Sequence, residues 1–106
     1  MRLLLSLDDI ESALAKLPGW KRDGAELVKT YRFDSYMIGI EFVNLLAKAA
    51  ESMNHHPDLY VGWCKVVVRL TTHSAGGITL LDIQMAQQAE RGYRSLEVSH
   101  ESTHAA

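Results

Sequence analysis

The sequence predicts an α+β fold in which three helices pack on one face of a four-stranded antiparallel sheet. Three observations carry that prediction. Regular elements follow the order α-β-β-α-β-β-α, Asp23-Gly24 separates the first two strands, and 106 residues suffice for one core but not for two ordinary ones. Asp-Gly suits the positive backbone angles of a tight hairpin turn, which dictates antiparallel pairing and argues against a parallel doubly wound sheet.

Each element has a local cause. Ser6 with Asp9 is a capping signal, and Leu7, Ile10, Leu14 and Leu17 recur at helical spacing, so a first helix is expected from Leu7 to about Leu17. Pro18-Gly19 ends it, and Trp20 to Arg22 forms the first arm of the hairpin. The second arm, Ala25 to Phe33, sets Leu27, Tyr31 and Phe33 on one face, with Lys29 interrupting the alternation.

Asp34 is the expected cap of a long second helix, whose apolar stripe reads Ile38, Phe42, Leu45, Ala49 and Met53. Pro57 disfavours helical geometry just before it, so this helix finishes near Asn54 and leaves His55-His56 where helix gives way to extended chain. A short strand from Asp58 to Val61 is broken by Gly62, and Cys64, Val66, Val68 and Leu70 then alternate with Lys65, Val67, Arg69 and Thr71 as a second strand with one buried face. Thr79 and Asp82 form another capping box with Ile78 and Ile83 as its staple, opening a third helix expected to end near Gly92. Residues 1–95 thus read as a single domain, and 96–106 as a flexible tail.

Composition narrows the function. A net charge of −2 gives no footprint for a phosphate backbone, so nucleic acid is not an expected direct partner. The N-terminal apolar run meets Asp8 and Asp9 at once, and no extended apolar stretch follows, so neither a membrane span nor secretion is expected. Cys64, the one cysteine, has no internal disulfide partner, which fits a reducing, cytoplasmic setting.

Three of the five histidines fall in two short segments, NHHPDLY and TTHSAGG, at the ends of regular elements. Imidazole titrates near neutrality and offers both a donor and an acceptor form, which a proton-in, proton-out elimination requires. Taken singly, each is an ordinary loop histidine; the combination suggests a site. Adjacent histidines in extended chain point to opposite sides, and neither segment holds a Cys or an H-x-x-x-H spacing that would complete a ligand set, so no metal is expected.

Glu51-x-x-x-His55-His56-Pro57, an aromatic at Trp63, Thr72-His73 and a downstream Asp82 together resemble the pattern of the pterin-4a-carbinolamine dehydratases. Pro18-Gly19-Trp20 and Tyr31-x-Phe33 extend the likeness over roughly residues 6–92. The resemblance implies dehydration of 4a-hydroxytetrahydropterin to quinonoid dihydropterin by a homodimer or homotetramer, without cofactor or metal. It implies that His55 and His73 donate protons to the departing hydroxyl, while His56 binds the pterin and assists removal of the N5 proton. Asn54, Thr71, Thr72 and Ser74 flank them as substrate contacts, or as ordinary turn residues. Glu51, one helical turn before His55, is either its orienting carboxylate or a solvated one; Asp82 is a supporting residue with a capping role of its own, and Trp20 a possible pocket wall. The resemblance also implies an alternative, a dimerisation or binding module on the same fold, since some members of this family also stabilise dimers of a transcription factor.

Overall fold

Ser6 caps α1 (Leu7–Leu14) by accepting the Asp9 amide at 3.1 Å, as the sequence implies. The helix is shorter than expected by most of a turn, because tighter bonds from Lys16 to Ala13 and from Leu17 to Leu14 close it, yet Leu17 still reaches the core. The computed structural model describes residues 3–104, with side chains as far as Glu97.

Strands β1 (Lys21–Asp23) and β2 (Glu26–Arg32) form the expected antiparallel hairpin. Next comes α2 (Tyr36–Met53), capped by Ser35, not by Asp34: the Ser35 hydroxyl accepts the Ile38 amide at 3.2 Å. Strands β3 (Asp58–Gly62) and β4 (Lys65–Leu70) pair across a two-residue turn in which Cys64 takes a positive φ of 56°. A 3₁₀ turn at His73–Ala75 leads to α3 (Leu80–His104).

The sheet has the order β1-β2-β4-β3, all antiparallel, with helices covering one face. Leu27 and Tyr31 of β2 and Val66, Val68 and Leu70 of β4 point into the core, where they meet Phe42, Leu46 and Ala50 of α2 and Met85, Ala86 and Ala89 of α3. The stripe of α2 is therefore rotated from the expected one. Gly39, Phe42, Leu46 and Ala50 are its buried residues, Ile38, Ala49 and Met53 are half-buried, and Leu45 is exposed. Two apolar registers run along this helix, and only tertiary packing selects between them.

The third helix does not stop at Gly92. Tyr93 packs tilted against Tyr31 and edge-on against Phe33, with ring centroids 4.9 and 5.4 Å apart, and its hydroxyl donates to the Arg32 carbonyl at 2.8 Å. Those contacts offset the cost of about 1 kcal/mol that an interior helix glycine imposes. The segment 96–106, expected to be a flexible tail, is helical through His104, and residues 105–106 lie outside those described. No helix among the described residues is long and apolar enough to cross a membrane.

Candidate active site

The second helix ends at Asn54, which adopts the left-handed conformation (φ 50°, ψ 42°) and turns the chain sharply before Pro57 enters the third strand. The His55 amide donates to the Ala50 carbonyl at 3.1 Å across this turn. Beyond it the chain is extended, and successive side chains face opposite ways. His55 is consequently buried, whereas His56 is exposed.

Inside, His55 Nε2 lies 2.6 Å from Oδ1 of Asp82, a fully buried carboxylate in the first turn of α3. The other oxygen, Oδ2, accepts the Thr79 amide at 2.9 Å and the Thr72 hydroxyl at 2.8 Å. The Thr79 amide bond is one half of the predicted capping box, and the positive end of the helix dipole favours the carboxylate there. Asp82 is thus both a cap and the partner of a site histidine. Thr72 opens the 3₁₀ turn that carries His73, so His55 and the His73 loop are linked through a single carboxylate.

Outside, His56 Nε2 contacts Glu51 Oε2 at 2.5 Å, with both side chains exposed. Glu51 therefore serves His56, where the helical spacing had pointed to His55. The left-handed turn at Asn54 breaks that spacing, turning His55 inward and leaving His56 facing the helix. His73 and Ser74 are exposed on the 3₁₀ turn, and Asn54 is exposed at the helix end. Thr71 spends its hydroxyl on the Ala25 carbonyl at 2.7 Å. Thr72 is buried, with its hydroxyl committed to Asp82 and Thr79, its amide donating to the Gly77 carbonyl at 2.9 Å and its carbonyl accepting the Ala75 and Gly76 amides at 3.0 Å, so every polar group of this residue is already engaged within the fold.

Trp20 is no pocket wall for these histidines. It is buried in the core, and its indole N–H donates to Glu90 at 3.1 Å and to the Tyr31 hydroxyl at 3.2 Å. An open groove of about 680 Å³ runs between α1 and α3, lined among others by Leu17, Pro18, Gln87 and Glu90, and contains none of the three histidines. Trp63, in the turn between the third and fourth strands, is 82% exposed.

Residues 4–92 match the protein family described as pterin 4 alpha carbinolamine dehydratase. The chain belongs to that family. A protein of Thermosynechococcus vestitus, provisionally named a pterin-4-alpha-carbinolamine dehydratase, is 51% identical over 83 residues, which cover 78% of this chain and 87% of the relative. A protein of Mycolicibacterium smegmatis with the same provisional name is 42% identical over 88 residues, covering 83% and 94%. Among solved structures, a transcriptional coactivator/pterin dehydratase of Brucella melitensis superposes with a TM-score of 0.83 at 29% identity, over 86% of this chain and 99% of the other. A pterin dehydratase-like protein described as a RuBisCO assembly factor in the alpha-carboxysome shares the fold with a TM-score of 0.58 at 21% identity, over 70% of this chain and 86% of that one.

In this pterin dehydratase family member, sequence reasoning missed Thr79 as part of the histidine network. The signal was present in the capping-box spacing Thr79-x-x-Asp82. A cap residue whose carboxylate is also called to a histidine leaves no mark of its own in the sequence, because both roles ask for the same aspartate.

Proposed function

We propose that the protein dehydrates pterin-4a-carbinolamine to quinonoid dihydropterin and water by histidine acid–base chemistry. The observation that carries this reading is His55 held at 2.6 Å by the buried Asp82, one hydroxyl away from the His73 loop, in a chain of the dehydratase family.

The 4a-hydroxyl leaves poorly until it accepts a proton. In this reading His55 and His73 supply that proton from opposite faces of the ring, so either 4a epimer is served. The N5 lone pair then expels water as the C4a–O bond breaks, and the N5 proton passes to a base, a step His56 assists with Glu51 behind it. The atoms balance as one carbinolamine giving one quinonoid dihydropterin and one water. Asn54, Thr71 and Ser74 contact the pterin, while Thr72 holds the turn that presents them, and the protein acts as a cytoplasmic homodimer or homotetramer.

Stopped-flow absorbance on freshly generated carbinolamine tests the reading. The wild type is expected to accelerate dehydration, and His73→Ala to lose on the order of 100-fold or more of that rate, with an unchanged thermal midpoint because His73 is exposed. A wild type no faster than buffer would overturn it.

A second reading, a dimerisation or transcription-cofactor module, draws on the name of the Brucella relative and on the apolar side chains that α2 leaves exposed, Met37 and Leu45. There the helix face and not the histidines would matter. Replacing His55, His56 and His73 together should then leave self-association in sedimentation intact, while M37D with L45D abolishes it.

A further inference from the structure

Asp82 is wholly buried, so the acceptor sites of its carboxylate are filled from within the protein. Oδ2 takes the Thr79 amide and the Thr72 hydroxyl. The Thr72 oxygen also lies 2.8 Å from Thr79 Oγ1, which accepts the Leu81 amide at 3.3 Å. A hydroxyl has one proton to give, and Thr72 gives its own to Asp82. The proton between the threonines therefore comes from Thr79, and the chain of donation runs one way: Thr79 to Thr72 to Asp82. At the far end Oδ1 faces His55 Nε2, and an ionised carboxylate only accepts, so Nε2 carries the hydrogen.

We infer that Thr72 and Thr79 are positioning residues that, through Asp82, hold neutral His55 as the Nε2–H tautomer and leave Nδ1 as the nitrogen exchanging protons with substrate. This rests on His55 being a proton-transfer group of the dehydration. Before the acid step Nδ1 takes up a proton from solvent, giving the imidazolium; in the step the Nδ1–H bond breaks as the 4a-hydroxyl oxygen takes that proton, and the neutral Nε2–H tautomer returns. The electron pair stays on Nδ1, and Nε2–H stays on Asp82 throughout.

The threonines give the inference a sharp consequence. Both donors converge on the Oδ2 side, so an asparagine at position 82 must turn its carbonyl toward them and its NH₂ toward His55. Nε2 would then have to accept, and the neutral ring would switch to the Nδ1–H tautomer; the imidazolium that delivers the proton to the 4a-hydroxyl would point its Nε2–H at an NH₂ donor, which disfavours the form the acid step needs.

Long-range ¹H–¹⁵N correlation spectra of the full-length protein, labelled at histidine and recorded where the ring is neutral, read the tautomer directly. The wild type and Thr72→Ser should both show His55 with Nε2–H, and Asp82→Asn should show Nδ1–H together with a loss of on the order of 100-fold or more in dehydration rate. Thr72→Val, equal in size but without the donor, should speed hydrogen exchange at Nε2 relative to Thr72→Ser. An Nδ1–H tautomer in the wild type, or identical exchange in the serine and valine variants, would overturn the inference; the wild-type spectrum decides even if Asp82→Asn fails to fold. The spectra need no turnover, so a wild type that shows the Nε2–H tautomer but dehydrates nothing overturns the proposed function alone.

Discussion

Tyr31 on the second strand donates its hydroxyl to Glu90 on the third helix at 2.7 Å, and the same carboxylate oxygen takes the Trp20 indole and the Lys29 ammonium. The three side chains come from two chain segments and are tied to one atom of a third, beneath the aromatic cluster of Tyr31, Phe42 and Tyr93. Removing the carboxylate leaves a largely buried ammonium with the Pro18 carbonyl and the Tyr31 ring face, 4.5 Å from its centroid, but no countercharge, and an indole N–H without its acid partner. Glu90→Ala should therefore cost about 3–5 kcal/mol, and Glu90→Gln, which keeps an acceptor, only about 1–2 kcal/mol. Urea unfolding followed by tryptophan fluorescence would measure both, and equal losses in the two variants would contradict the account.

The same cluster sets a pH dependence. Burial pushes the Glu90 carboxyl up, but hydrogen bonds from Lys29 and Tyr31, the Lys29 charge and the Trp20 indole outweigh it and hold Glu90 below the usual range. On acidification the unfolded chain therefore takes up this proton first. The stabilisation is present above the unfolded carboxyl pKa of about 4.3 and is lost as pH falls through the lower folded-state value. Tyr31 has the opposite sign: burial first, then the bond to Glu90, raises its pKa. Its contribution is complete below about pH 10 and is lost as pH rises beyond that. Unfolding free energy measured across pH should show Glu90→Gln flattening the acid limb and Tyr31→Phe the alkaline one. A parallel offset at every pH would show that neither group is linked to folding.

Gly92 carries a third prediction. It lies within α3, and a Cβ added there would meet Phe42 and Leu45 at 3.9 Å, ordinary van der Waals distance. Its backbone is not in the left-handed region that demands glycine. Gly92→Ala should thus stabilise the protein by about 0.5–1 kcal/mol through helix propensity alone. A lower thermal midpoint would mean that the two helices are packed more tightly at this point than those distances imply.

The sequence reveals the element order, the hairpin, the strand alternation of Val66, Val68 and Leu70 and the capping box, because each is fixed within a few residues. It conceals what contacts distant in sequence decide. Lys29 looked like a fault in an apolar face, since its partner Glu90 lies 61 residues away. Gly92 read as a helix end because the aromatic packing that carries the helix onward comes from the sheet and the second helix. At the site, the histidines and Asp82 are visible, but the spacing offers Glu51 only to His55 or to solvent, whereas it meets His56. Helical spacing holds only while the helix does, and Asn54 turns left-handed one residue before His55.

The left-handed turn at Asn54 gives the two neighbouring histidines different surroundings, which experiment can tell apart. His56 and Glu51 meet at the surface, with side chains 54% and 79% exposed, where solvent screens the pair and holding it costs side-chain entropy. His56→Ala should change stability by about 0.5 kcal/mol or less. His55, one residue earlier, faces the buried Asp82, and deleting its ring leaves Oδ1 of a buried carboxylate without a donor. His55→Ala should cost about 3 kcal/mol. The activity losses of the two variants therefore mean different things: that of His56→Ala is chemical, because the fold is untouched, whereas that of His55→Ala mixes chemistry with loosening of the third helix's first turn. Denaturant midpoints of the two variants side by side test this, and equal midpoints would show that Asp82 does not depend on His55 for its burial.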